Sequence, residues 1–354
     1  MRTLVTKAIL LLGRYAVLPV AALAVVLFVG WLAAFDVHPE MAVMALPVVL
    51  PIATIAIALP IGLLLPIPHA KDRDAVDEGA ASGLWALWNE FDDSTPRSRR
   101  TLQIDPNLNA SIGERRRYFA LAHRHLTMTI GLPLLLMLDE RAVRAVVAHE
   151  VAHARLQHTT GGTNLHEFMV AAANLFDHLD AERTITGRIA HALLSSLLAR
   201  VSAEFHAIRY RNELEADHHA GERTGAHDMA RALVLLHNVG WGIKELIIDP
   251  LDKELLGAIR APTPPLQRLV EQLDAIRTYR ASDEAEPHDE EQPEDYHPPL
   301  RERLANLGLT TIPDVELPRT SAAESLVSAP RLKQLLTEFN ADWRRKAERL
   351  VGLH

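Results

Sequence analysis

The sequence predicts a mainly α-helical protein with a small β-sheet, an α+β domain set behind an N-terminal hairpin of two apolar helices. Three observations lead there. Charge is almost missing from the first seventy residues, where Tyr15–Phe35 and Met41–Pro68 carry none. A strong helical period begins at Asp139, with Ala142, Val143, Val146, Val147, Val151 and Leu156 recurring at steps of three and four. Just before it, short stretches alternate apolar and polar residues with the period of a half-buried strand.

Each apolar run is long enough to cross a bilayer core of about 30 Å as a helix. The link between them is short and acidic, with Asp36, His38 and Glu40. A second apolar run directly after the first argues against a cleaved signal peptide, which needs only one. The second run carries Pro47, Pro51, Pro60 and Pro66, each of which removes a helix hydrogen bond and invites a kink or a break. Arg2, Lys7 and Arg14 precede the first run and Lys71 and Arg73 follow the second, whereas the link has no Lys or Arg. Positive charge stays cytoplasmic, so this bias predicts a multi-pass protein of the cell (plasma or inner) membrane with both ends and the C-terminal domain facing the cytoplasm.

The chain beyond residue 75 reads in order as follows. Gly79–Phe91, with Leu84, Trp85, Leu87 and Trp88, is a helix that packs into a core or lies on a membrane surface. Thr101–Asp105 is a strand, and Pro106, Asn107 and Asn109 signal a turn. Leu126, Met128 and Ile130 alternate with Thr127 and Thr129 as a second strand. The long helix then starts with Asp139 as its N-cap. A further helical region, with breaks, covers Glu167–Ala220. Ala281–Asp295 holds eight acidic residues and no Lys or Arg, a composition that repels itself and buries little, so it reads as a disordered insert. Thr263-Pro264-Pro265-Leu266 is echoed by His297-Pro298-Pro299-Leu300. Ser325–Leu350 is an amphipathic helix. The expected organisation is a two-span anchor over 1–75, a second domain over 76–310 and a helical extension over 311–354.

Net charge is −8, which argues against nucleic acid as a partner, because phosphate binding needs a basic face. The chain has no cysteine, so disulfides, thiolate metal ligands and a cysteine nucleophile are excluded. Any metal must be held by His, Asp or Glu.

The residues that carry chemistry are His149-Glu150-Val151-Ala152-His153. Positions four apart share one helix face, so the two imidazoles can grip one ion, and Glu150 can reach a water beside it. This is the H-E-x-x-H zinc-protease pattern. In an otherwise apolar helix, two histidines and a glutamate are costly unless they have a partner. Catalytic zinc takes three protein ligands and leaves a position open. Glu213-Leu214-Glu215-Ala216-Asp217 is the best stretch for the third ligand: Glu213 would bind and Asp217 would take a hydrogen bond from a ligand histidine. Glu204, Glu215, His218 and His219 are rivals on this reading.

Leu132-Pro133-Leu134-Leu135, the run Leu138–His153 and Glu213–Asp217 together resemble the M48 peptidases, membrane zinc proteases of the HtpX and Ste24 type. The resemblance covers residues 101–304. It implies a zincin-like metalloprotease domain behind the helical hairpin, with one zinc per chain held by His149, His153 and Glu213. Asp217 would orient a ligand. Asn109-Ala110 is similar to the family's Asn-Ala at the edge of the cleft, a substrate-binding position. His297-Pro298, with Arg303 after it, is similar to a late His-Pro motif, which makes His297 a second catalytic residue, a donor to the substrate oxyanion. Protein or peptide substrates and a lipid bilayer are the implied partners. Two spans are too few for the large intramembrane chamber that cleavage of lipidated C-termini needs, so general or membrane-protein proteolysis fits better. The rival from another class is a metal-binding membrane scaffold without activity.

Overall fold

The computed structural model describes residues 4–64, 75–116, 124–178, 185–279 and 297–352. The acidic stretch expected to be a disordered insert and the end of the second apolar run, residues 65–68, lie outside the described residues. Fifteen α-helices and three strands are formed among the described residues. They belong to two compact units, residues 1–71 with 156–211 and residues 72–155 with 212–354.

The first unit is helical. It contains α1 (Leu4–Leu12), α2 (Leu18–Val37), α3 (Pro39–Leu64), α7 (Gly162–His178) and the first part of α8 (Ile185–Thr224). Helices α2 and α3 pack side by side, and α7 packs against α1 and α3. Ile9, Leu63, Leu165, Phe168, Ala172, Leu194, Val201 and Ile208 form its core. Asn164 Nδ2 donates to the Leu10 carbonyl at 2.8 Å. Gly161 sits at φ +77°, where a Cβ would also lie 2.6 Å from the Leu10 oxygen, so only glycine fits at the head of α7.

No single helix among the described residues is long and apolar enough to cross a membrane. Two bent pairs pass together by length and composition: Leu4–Val17 with Ala21–Val37, bent by 53°, and Pro39–Leu50 with Ile52–Leu64, bent by 49°. The second break falls at residue 51, a proline, which cannot donate the helix hydrogen bond. The first follows Gly13, at φ +58°, and the 3₁₀ turn Gly13–Val17.

The second unit carries a three-stranded sheet in the order β1-β3-β2, with β1 Arg100–Asp105, β2 Ala110–Arg116 and β3 Arg124–Gly131. β1 runs parallel to β3 and β2 antiparallel to it, with Ala110 opposite Ile130 and Ile112 opposite Met128. Two of these strands match the alternation in the sequence. β2, which the alternation did not mark, begins directly after the expected turn at Pro106, Asn107 and Asn109. Leu102, Ile104, Ile112, Leu126, Met128 and Ile130 all point into the core, as the period of two requires. α4 (Ser82–Phe91) buries Leu84, Trp85, Leu87, Trp88 and Phe91, so this apolar helix belongs to the core and not to a membrane surface. Trp85 and Trp88 stack at 5.5 Å.

Short α5 (Leu132–Met137) leads into α6 (Glu140–Thr160), the motif helix. Asp139 caps it as the sequence predicts: its Oδ1 accepts from the Ala142 amide at 2.9 Å. The same carboxylate takes a bidentate pair from Arg231 of α9 (Ala226–Ile243), at 3.0 and 2.7 Å. Short helices α10 (Asp249–Leu255), α11 (Pro265–Glu271), α12 (Leu273–Thr278) and α13 (Leu300–Asn306) follow, then α14 (Ala322–Leu326) and α15 (Ala329–Leu350). Both Pro-Pro-Leu echoes open a helix. Pro264 and Pro299 stand just before α11 and α13 at ψ 143° and 142°, and the helix begins at the following residue.

Candidate metal centre

The site is assembled by three elements of the second unit. α6 brings His149, Glu150 and His153. The C-terminal part of α8 brings Glu213 and Asp217. The segment running into α13 brings His297 and Arg303. One turn apart on α6, the two imidazoles stand edge to face with ring centres 5.9 Å apart. The residues flanking them, Val146, Val147, Ala148 and Val151, are buried in the core, which holds the helix face in place.

Glu213 faces both rings. His153 Nε2 donates to Glu213 Oε1 at 2.8 Å, and His149 Nε2 lies 3.5 Å from Oε2. Asp217, fully buried, lies behind His149, with Oδ1 2.9 Å from Nδ1. His297 Nδ1 approaches Glu213 Oε2 at 3.0 Å from a half-exposed position. Arg303 grips Asp217 with Nε on Oδ2 and Nη2 on Oδ1, both at 2.7 Å. The site thus brings together six residues singled out in the sequence, namely His149, Glu150, His153, Glu213, Asp217 and His297. It adds Arg303, which the sequence named only as a companion of the His-Pro pair. Asn109 stands exposed at the head of β2, where its carbonyl accepts from the Gly131 amide at 2.7 Å and its side chain reaches Asp105 at 3.4 Å.

The electrostatics follow from burial and pairing. Burial alone would push His149 down, but its contacts with Asp217 and Glu213 outweigh that and hold it up at about 10. Burial would raise Glu213, yet the three histidines around it keep its carboxyl far below the usual range. Asp217 is likewise held down against its burial by Arg303 and His149. Glu150 goes the other way. Burial pushes its carboxyl up, and the nearby imidazoles only partly offset this.

Two histidines and a glutamate converging from a helix pair form a donor set of the kind that holds zinc. Among the described residues no group of three stands at the spacing of a formed metal site. The His153–Glu213 contact is a 2.8 Å hydrogen bond, whereas two ligands on one tetrahedral ion stand about 3.3 Å apart for bonds of ~2.0–2.1 Å. Glu213 Oε2 is also buried without a hydrogen bond of good geometry. A buried carboxylate oxygen in that position is costly unless a cation satisfies it. In donor chemistry, two imidazoles and a carboxylate fit such an ion.

Such a site, on a mainly helical domain with a small sheet, has the make-up of a metallopeptidase centre. The chain belongs to Peptidase family M48, whose model matches residues 111–310. Among solved structures, the crystal structure of S. mikatae Ste24p is similar over 83% of this chain and 64% of that one, at 16% identity and a TM-score of 0.34. The chain therefore spans less than two thirds of that structure's length. No curated protein matches.

Proposed function

We propose that this chain is a zinc-dependent endopeptidase anchored in a membrane, with His149, His153 and Glu213 as the metal ligands. The observation that carries this reading is the meeting of His149 and His153 on one buried carboxylate, with Glu150 beside them. Zinc, when bound, would acidify a water toward neutrality and polarise the scissile carbonyl.

Glu150 is the general base. Its raised pKa suits a carboxylate that must accept a proton near neutral pH and later return it to the leaving amine. Asp217 Oδ1, 2.9 Å from Nδ1 of His149, would orient that ring and leave Nε2 for the metal. His297 would donate to the substrate oxyanion, and its ring reaches the same carboxylate as the ligand histidines. β2 pairs with β3 along one side only among the described residues, and its other side is a template for an extended peptide, with Asn109 at its head. Proteins and peptides are the substrates, misfolded membrane proteins among them.

The membrane reading rests on apolar surface. Leu23, Val26, Leu27, Met44 and Ile52 of α2 and α3 are each about 60–80% exposed, a patch that water does not tolerate. With the Lys and Arg bias, this supports a multi-pass anchor in the cell (plasma or inner) membrane and a catalytic unit on the cytoplasmic side.

The test is cleavage of casein by the full chain in detergent, with E150Q run beside it and zinc content measured in both. Wild type should cut, and the variant should hold zinc without cutting. Zinc in both with cleavage by neither would favour the inactive metal-binding scaffold. No zinc in either, even after zinc is supplied, would overturn the metal centre.

A further inference from the structure

Asp217 has no exposed surface, yet it is ionised and faces an imidazole on one side. A buried carboxylate needs a partner to compensate for lost water. That partner is Arg303, itself only 13% exposed. The guanidinium meets the carboxylate fork to fork, with two parallel N–H···O bonds of 2.7 Å. This geometry fixes both the position and the rotation of the acceptor. A third approach, 3.7 Å from Arg303 Nη2 to Glu213 Oε2, adds positive charge beside the ligand carboxylate.

Arg303 is itself firmly held. It lies on α13, where Leu304 is buried in the core. Asn306 Nδ2 donates to the Leu214 carbonyl at 2.7 Å, which docks α13 directly on the α8 turn that carries Glu213 and Asp217. Gly308, at φ +84°, ends the helix in a conformation that suits glycine.

We propose that Arg303 is a positioning residue for the metal centre. It locks Asp217, Asp217 locks the His149 ring, and the ring presents Nε2 to zinc at the right angle. The hydrogen bonds of the arginine go to Asp217 and not to the ligand side chains themselves. Partners of this outer kind tune metal affinity by about 10–100-fold. A lysine in its place would keep the charge but lose the planar fork, so it restores only part of the effect.

This inference rests on the metal centre proposed above, and zinc affinity tests it without activity. The full chain in detergent is stripped of metal, and zinc dissociation constants are measured by competition with a chromophoric chelator for wild type, R303K, R303M, D217N and D217N/R303M. Circular dichroism of the stripped proteins checks that each is folded. R303M should bind zinc about 10–100-fold more weakly than wild type, with R303K between the two. In the D217N background, R303M should add little, because the arginine acts through that aspartate. Affinities of R303M and R303K within twofold of wild type would overturn the proposal, as would effects of D217N and R303M that multiply. If R303M fails to fold, R303K against wild type decides in the same way. A folded wild type that binds no zinc would overturn the metal centre itself, and this proposal with it.

Discussion

Replacing Asp139 tests how the motif helix is held at its start. This carboxylate does two jobs. It caps α6 through the Ala142 amide, and it pairs bidentately with Arg231, the two side chains being 20% and 24% exposed. Losing an N-cap costs about 1 kcal/mol. Losing a charge-assisted hydrogen-bonded pair at this degree of exposure costs about 1–3 kcal/mol more. D139A should therefore weaken the first turn of α6 by about 2–4 kcal/mol, whereas D139N, which keeps a capping oxygen, should lose only about 1–2 kcal/mol. Native-state hydrogen exchange at the Ala142 amide reads this directly. At 1.4 kcal/mol per tenfold, D139A should exchange roughly 30- to 700-fold faster and D139N roughly 5- to 30-fold faster. Equal rates in the two variants would refute the separation of cap from ion pair. A change below threefold in D139A would refute both roles.

The same residue predicts a pH dependence. Burial would raise its carboxyl, but Arg231 and the Ala142 amide outweigh this and hold it below the ordinary carboxylate value. A depressed folded pKa means that the stabilisation is complete above the unfolded value of ~3.9 and is lost as pH falls through the lower folded value. After correction for intrinsic exchange, protection of the α6 first turn should decline only in that acid window in wild type. It should not decline there in D139N.

Two further substitutions probe the sheet and the core. In G131A the new Cβ would stand 1.9 Å from the Asn107 oxygen and 2.9 Å from the Asn109 nitrogen. Both are backbone atoms that cannot swing aside, so the turn before β2 must move. Stability should fall by about 1–3 kcal/mol, and KM for peptides should rise with zinc content unchanged; an unaltered KM would remove this edge from the substrate path. W88A deletes a fully buried indole that stacks on Trp85 beneath the Arg100 guanidinium. It should cost about 3–5 kcal/mol in chemical unfolding of the second unit, and a loss under 1 kcal/mol would mean that the α4 core collapses around the gap.

Local patterns were legible in the sequence. The four-residue spacing of His149 and His153 places them on one face whatever surrounds the helix. Asp139 caps that helix by a contact only three residues long. β1 and β3 show in the sequence because each buries alternate residues, weakly in Thr101–Asp105 and clearly over Leu126–Ile130. β2 does not. Ala-Ser-Ile-Gly-Glu-Arg-Arg has a glycine and three charges in seven residues, as befits an edge strand, and pairing with β3 makes it a strand.

The third side of the candidate metal centre needed tertiary structure. The residues by themselves left Glu204, Glu215, His218 and His219 open beside Glu213, because a long helix offers a charge on every face. In the fold, Glu213 is 1% exposed and meets the two imidazoles. The side chains of Glu215, His218 and His219 are 53%, 59% and 47% exposed, and Glu204 falls in the other compact unit. Which face of α8 turns toward α6 is set by side-chain packing between segments 60 residues apart, not by helix period. The bond from Arg303 to Asp217 spans 86 residues, and the sequence marked Arg303 only as a companion of the His-Pro pair, not as the partner of a buried carboxylate. Periodicity and capping reach a few residues along the chain, so they determined the helix that carries the motif. Burial of charge is decided where distant segments meet, and only the packed structure shows which acids lie there.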